Sequence, residues 1–177
     1  MESIRRIVTE VAADGMSRIA QDGPSPAERL VPERPGYRVT NLWRTGPAPD
    51  ITAPDSIEAH RGVLPPSGGT VLRIIDWPPE SSDPQELARV LNATFAQIYP
   101  DADHRPVGKN HPGMHTTRTV DYALVMSGEI TAIVGNEETV MRAGDVLIQR
   151  GTSHAWANRS GKPVRVAFVL IDAEGKA

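Results

Sequence analysis

The chain has 177 residues, of which 39% are hydrophobic and 23% are charged, and its formal net charge is −3. This length suits one well-packed domain, and this balance of residues is ordinary for a globular protein. The small negative charge, with no cluster of Lys and Arg, argues against nucleic acid or an acidic membrane surface as partner, and the absence of cysteine excludes disulfides and thiolate metal sites.

The first elements along the chain are short strands joined by turns and loops. Alternating residues on both sides of Asp14-Gly15 predict a hairpin over residues 3–20. Two stretches rich in Pro and Gly, residues 21–36 and 46–69, predict loops. The intervening and following segments predict two further strands, at residues 37–45 and 70–77.

One helix is well specified, over about residues 84–98. Asp83 can cap its start, Pro84 suits the first helical position, and Glu86 stands where a capping box requires it. Pro100 ends it. Apolar residues at helical spacing predict one stripe that covers a sheet: Leu87, Val90, Leu91, Phe95 and Ile98.

The pattern changes after residue 114 to short strands with Gly-containing turns and no helix between them. Such a series argues for an antiparallel sandwich or barrel. The predicted strands cover residues 121–127, 129–134, 138–142, 145–150, 153–158 and 163–171.

Two motifs in this region are similar to those of a known family. Six residues separate Asp121 from Gly128 in the first motif. In the second motif, two residues separate Gly151 from His154 and three separate His154 from Asn158. In these spacings the chain resembles the cupin superfamily, in particular its small, single-domain, type-2 members. Asp121 replaces the glutamate that is usual in the first motif.

The resemblance implies a mainly β fold, an antiparallel cupin or jelly-roll β-barrel with an N-terminal strand extension and one covering helix. We expect residues 1–110 to form the extension and residues 111–177 the barrel core, within one structural domain. Small cupins are commonly dimers, so we also expect a homodimer in which the first hairpin pairs across the interface.

The resemblance also implies that His115, Asp121 and His154 converge inside the barrel, as catalytic residues and as ligands of a divalent ion. Imidazole and carboxylate ligands suit Fe, Zn, Mn or Ni. Thr117 stands where the family has its second histidine, so one ligand is missing from the set. His111 could replace it if the Pro112-Gly113 turn folds back, and is otherwise an exposed loop residue.

Three further residues are candidates for contact with substrate: Trp156, Arg150 and Thr117. An aromatic wall at Trp156 would suit an apolar or planar molecule, and a guanidinium at Arg150 could bind a carboxylate. Asn158 is expected to fix a turn by hydrogen bonding. His60 and His104 fall in predicted loops with no group of functional residues around them.

Three functions remain open at this stage. The first is a metal-dependent oxygenase, decarboxylase or isomerase that acts on a small oxygenated or carboxylic molecule. The second is a metal-free dehydratase, lyase or isomerase with His115 or His154 as general base, and the third is a small-molecule-binding module without chemistry. No apolar run approaches the roughly 20 residues of a membrane helix, so we expect a soluble cytoplasmic protein.

Overall fold

The computed structural model describes residues 1–106 and 110–174. Its strands are β1 (Arg5–Val11), β2 (Ser17–Pro24), β3 (Ala27–Leu30), β4 (Arg38–Thr45), β5 (Thr70–Trp77), β6 (Asp103–His104), β7 (His115–Thr116), β8 (Thr119–Ser127), β9 (Glu129–Val134), β10 (Glu137–Arg142), β11 (Val146–Arg150), β12 (His154–Ala157) and β13 (Val164–Asp172). A 3₁₀ turn spans Ile57–Ala59, and helix α1 spans Pro84–Ile98.

The strands form two large antiparallel sheets and one separate hairpin. Within the described ranges, one sheet has the order β11-β8-β13-β5-β4-β3 and the other has the order β10-β9-β12-β7-β6. The hairpin consists of β1 and β2, with Gly15 in the left-handed region at φ 83° in its turn. The mainly β, antiparallel fold class predicted from the sequence is therefore confirmed.

The core lies between the two large sheets, because alternate residues of their strands face inward. In β13 the buried residues are Val164, Val166, Phe168 and Leu170, and the residues between them are partly exposed. The same alternation holds in β8 from Thr119 to Val125. A strand with this period-2 pattern buries one face and leaves the other to solvent.

Helix α1 covers one opening between the sheets with its apolar stripe, of which Val90, Leu91, Phe95 and Ile98 are buried. Its start follows the sequence prediction, because Asp83 accepts a hydrogen bond from the Gln85 backbone N–H at 2.9 Å. The reciprocal half of the predicted capping box is not formed. The carboxylate of Glu86 instead pairs with Arg89 at 2.8 Å, one turn further along the exposed face.

Strands β3, β4 and β5 of the N-terminal half belong to the same sheet as β8, β11 and β13. β5 pairs with β13 along its whole length, from Thr70 opposite Ile171 to Trp77 opposite Val164. The prediction of a continuous loop over residues 21–36 is wrong, since Ala27–Leu30 pairs with β4. This strand lies at the sheet edge, where hydrogen bonds form on one side only and the neighbouring prolines are tolerated.

The β1–β2 hairpin pairs with no other strand in the described part of the chain, and most of its residues are exposed. Its proposed role in a homodimer stays a prediction. No helix among the described residues has the length and apolar content needed to cross a membrane.

Candidate functional site

A cavity of about 70 Å³ lies between the two sheets, under helix α1. Its wall combines aromatic and aliphatic side chains with a smaller set of polar and charged groups, the usual composition of a small-molecule site. The lining residues are Arg34, Tyr37, Val63, Arg73, Ile75, Trp77, Leu91, Thr94, Phe95, Tyr99, Gly113, His115, Thr117, Asp121, His154, Trp156, Phe168 and Leu170.

Two histidines meet at one end of the cavity. His115 on β7 and His154 on β12 are direct partners in the antiparallel register, and their ring centroids are 4.2 Å apart. The Nδ1 atom of His115 lies 2.9 Å from the carbonyl oxygen of Gly113, and that of His154 lies 2.9 Å from the carbonyl oxygen of Thr152. Because a carbonyl oxygen only accepts, Nδ1 carries the proton in both rings and Nε2 keeps a free lone pair.

Both imidazoles are neutral at physiological pH. Burial, with a smaller contribution from the neighbouring His154, lowers the pKa of His115 to about 3. Burial likewise lowers the pKa of His154 to about 4. These two rings are therefore weak bases at neutral pH, and they serve as hydrogen-bond acceptors or as ligands through Nε2.

Asp121 lines the same cavity from β8, where the alternation that buries Thr119 and Ala123 also turns its carboxyl inward. It is 4% exposed, and its Oδ1 atom has no hydrogen-bond partner among the described residues. Burial raises the pKa of this carboxyl to about 6, while the Thr119 hydroxyl and the charge of Arg73 act in the lowering direction. Burial thus brings the pKa of Asp121 closer to neutral pH than that of an ordinary carboxyl group.

The predicted metal set is not complete. The tautomers of His115 and His154 suit a metal ion, because each ring is oriented by a hydrogen bond at Nδ1 and offers Nε2. However, within residues 1–106 and 110–174 no three His, Asp or Glu side chains lie close enough together to hold one ion. Asp121 therefore shares the cavity with the two histidines without forming a three-ligand group with them.

The candidates for substrate contact divide into two groups. Thr117 and Trp156 line the cavity, and the Thr117 hydroxyl is held by that of Thr119 at 2.8 Å. Arg150 is exposed and lies outside the cavity, contrary to the prediction. The reason is the period of the strand, because Gln149 takes the inward position of β11 at 2% exposure and Arg150 consequently points outward.

His111 is not a fourth member of the site. Its Nε2 atom lies 3.0 Å from Oε1 of Glu80, and its Nδ1 accepts from the Gly113 backbone N–H at 3.1 Å. Both ring nitrogens are therefore occupied away from the cavity. His104, which the sequence left without a role, stacks on Phe95 with centroids 3.9 Å apart and pairs with His115 across β6 and β7.

Sequence reasoning missed the charged groups that the N-terminal extension contributes. Arg73 on β5 is 1% exposed, Arg34 is 6% exposed, and both line the cavity. A signal for Arg73 was present, since this residue alternates in phase with the apolar Val71, Ile75 and Trp77 on one face of its strand. A charged residue at an inward position is uncommon enough to mark a site.

A family model and several known proteins are similar to this chain. The family model described as "Cupin domain" matches residues 104–171. The chain is 30% identical over 179 residues to "Phomopsin biosynthesis cluster protein C'" of Diaporthe leptostromiformis. The aligned region covers 96% of this chain and 78% of that protein. The protein belongs to the cupin superfamily.

Two further similarities concern other cupins. This cupin is 33% identical over 125 residues to "Cupin-domain-containing oxidoreductase srdB" of Neurospora crassa, with coverage of 64% of this chain and 62% of that protein. Among solved structures, the cupin domain of Schizosaccharomyces pombe Cnp3 is 11% identical, with a TM-score of 0.48 over 97% of this chain and 89% of that one.

Proposed function

We propose that this cupin is an enzyme that transfers a proton on a small oxygenated molecule, in a lyase, dehydratase or isomerase reaction, with Asp121 as the group that moves the proton. The observation that carries this proposal is the position of the Asp121 carboxyl. It is buried in a cavity with an unpartnered oxygen, and the same cavity is lined by two neutral imidazoles whose Nδ1 protons are held by backbone carbonyls.

The roles in this mechanism differ from those expected from the sequence, in which His115 or His154 was the general base. Both Nδ1–H groups are already directed at backbone carbonyls, so the carboxylate does not orient either ring. The low pKa values of the two rings also make them poor bases, whereas the raised pKa of Asp121 suits proton transfer near neutral pH. The Nε2 atoms are then placed to accept hydrogen bonds from substrate hydroxyl groups.

The relatives support an enzyme that works on small molecules. One is named as a member of a biosynthesis cluster and another as an oxidoreductase. The apolar part of the cavity supports a substrate with an apolar or planar body, because Trp156 and Phe168 meet there edge to face with centroids 5.3 Å apart.

The test is proton exchange in D₂O, followed by ¹H NMR, over a panel of hydroxy acids, diketones and aromatic ketones. We expect the wild type to exchange or eliminate on at least one compound, and Asp121→Asn to slow that reaction by about 10²- to 10⁴-fold. Asp14→Asn makes the same chemical change in the exposed turn of the hairpin and is expected to leave the rate unchanged. An Asp121→Asn rate equal to the wild type would disprove the role of Asp121, and a wild type without turnover would favour a binding module.

A metal-dependent enzyme is the second candidate, and the imidazole tautomers favour it. Dialysis against EDTA separates the two candidates. The proton-transfer proposal expects unchanged turnover and substoichiometric metal in the purified protein. Turnover that is lost in EDTA and restored by Fe²⁺, Zn²⁺, Mn²⁺ or Ni²⁺ would favour the second candidate.

A further inference from the structure

Arg73 is a fully buried guanidinium whose hydrogen-bonding capacity is only partly used. Its Nη2 atom donates to the carbonyl oxygens of Val63 at 3.0 Å and Gly62 at 3.3 Å, and it lies 3.0 Å from Nε2 of His60. Its Nε and Nη1 atoms have no hydrogen-bond partner among the described residues. Buried donors of this kind are rare in proteins, because each one that is left unpaired costs about 1–3 kcal/mol.

The hydrogen-bond partners of Arg73 are all uncharged. Two of them are backbone carbonyls, and the third, His60, is neutral because burial lowers its pKa to about 4. Asp121 lines the same cavity and the charge of Arg73 lowers its pKa, but Oδ1 of Asp121 and Nε and Nη1 of Arg73 have no partner among the described residues, so these atoms do not pair directly. A buried charge without a direct ion pair is unfavourable, and a ligand of opposite charge relieves this cost.

A second guanidinium strengthens the positive character of the cavity. Arg34 lies over the ring of Tyr37, with its Cζ atom 4.2 Å from the ring centroid, and it lines the cavity. Two arginines and one carboxyl group thus line a space otherwise walled largely by aromatic and aliphatic side chains. A guanidinium in such surroundings recognises a carboxylate through charge-assisted hydrogen bonds.

We propose that the cavity binds a small carboxylic acid with an apolar or aromatic body, and that Arg73 is the main anchor of its carboxylate, with Arg34 as the second positive group. This inference rests on the proposed function and names its substrate class. The carboxylate lies at the Arg73 side of the cavity, and the body of the acid extends along Trp77, Phe168 and Trp156 toward Asp121.

The experiment is isothermal titration of the full-length protein with four acids, each paired with its neutral amide: acetate, benzoate, phenylacetate and 3-phenylpropanoate. Arg73→Met removes the anchor, and Arg150→Met removes one positive charge at an exposed position outside the cavity. We expect both the wild type and Arg150→Met to bind at least one acid about tenfold or more tightly than they bind its amide. In Arg73→Met this preference should fall to within about threefold.

Two results would overturn the proposal: no preference for any of the four acids in the wild type, or an undiminished preference in Arg73→Met. If Arg73→Met does not fold, Arg73→Lys decides, because lysine keeps the charge and loses the planar set of donors. A weakened preference in Arg73→Lys supports the anchor, and an unchanged preference refutes it. Asp121→Asn should keep the preference for the acid, so that a failure of the carboxylate site is distinguishable from a failure of the proton-transfer proposal.

Discussion

The Asn158 side chain connects the cavity wall to the turn before β13, and replacing it tests whether this link stabilises the fold. The residue is fully buried. Its Nδ2 donates to the carbonyl oxygens of Trp77 at 3.1 Å and Lys162 at 2.7 Å. Its Oδ1 accepts from the backbone N–H and the hydroxyl of Ser160, at 3.1 and 2.8 Å. The sequence prediction that Asn158 fixes a turn by hydrogen bonding is thereby confirmed.

In Asn158→Ala the two carbonyls that Nδ2 satisfies lose a donor. The Trp77 carbonyl is buried, so leaving it unsatisfied costs about 1–3 kcal/mol, and the missing carboxamide leaves a small void that adds about 1 kcal/mol. The Lys162 carbonyl and the two groups of Ser160 lie nearer the surface, where water can replace the carboxamide, and the Ser160 hydroxyl also donates to the Lys162 carbonyl at 3.1 Å, so they add little. We therefore expect Asn158→Ala to lower the free energy of unfolding by about 2–4 kcal/mol, a large part of the roughly 5–15 kcal/mol typical of a domain.

The assay is equilibrium unfolding in urea, followed by tryptophan fluorescence. Trp77 and Trp156 both line the cavity and report its opening. Ser160→Ala is the matched control. It removes one of the four bonds of Asn158, together with the contacts of the Ser160 hydroxyl with the backbone of Lys162 at 3.1 and 3.3 Å, and because these groups lie near the surface it should cost at most about 1 kcal/mol. If Asn158→Ala costs less than about 1 kcal/mol, or no more than Ser160→Ala, the carbonyls find other donors and the reasoning is refuted.

Two further predictions concern pH and backbone contact. The pKa of His60 is near 4 in the folded protein and about 6.5 in the unfolded chain. Between these two pH values only the unfolded chain binds a proton at His60, so the folded state loses stability as the pH falls from about 6.5 toward 4. Wild type should therefore lose about 1–2 kcal/mol more than His60→Gln between pH 8 and pH 5 in urea titrations; equal losses would contradict this. At Gly69 a Cβ atom would overlap the carbonyl oxygen of Thr45, whereas at Gly46 it would meet nothing within 4 Å. Gly69→Ala should thus lower the melting temperature by about 10 °C or more and Gly46→Ala by about 2 °C at most, and similar values for both would argue against the close approach.

The elements that the sequence predicted well are those whose evidence is local. The period of β8 and β13, and the capping residue and apolar stripe of α1, depend on residues within one element. Strand β3 was missed because its pairing with β4 outweighs the turn-forming tendency of the surrounding prolines. The strands β6 and β7 are two residues long, which is too short for any periodic signal.

The candidate site was predicted in part, for a similar reason. Motif spacing and the period of a strand predicted that Asp121 and His154 point inward and that His115 belongs to the same site, and all three residues line the cavity. The same period would have excluded Arg150, which follows an inward-facing residue on its strand. The distance between Asp121 and the two histidines, which decides whether three ligands can hold an ion, depends on the packing of two sheets.

The sequence by itself determined the antiparallel strands and the helix, because alternation and capping act along a short stretch of chain. The resemblance to cupins, carried by the spacing within the two motifs, implied the barrel and the inward residues of those motifs. The tertiary structure alone decided the electrostatics of the cavity. A loop far from the motifs supplies His60 and the carbonyl of Val63 to the Nη2 atom of Arg73. The Nε and Nη1 atoms have no partner among the described residues, so Arg73 is a buried charge that is only partly hydrogen-bonded. Burial of this kind arises only when distant segments pack together, and it also sets the pKa values of Asp121 and the paired histidines.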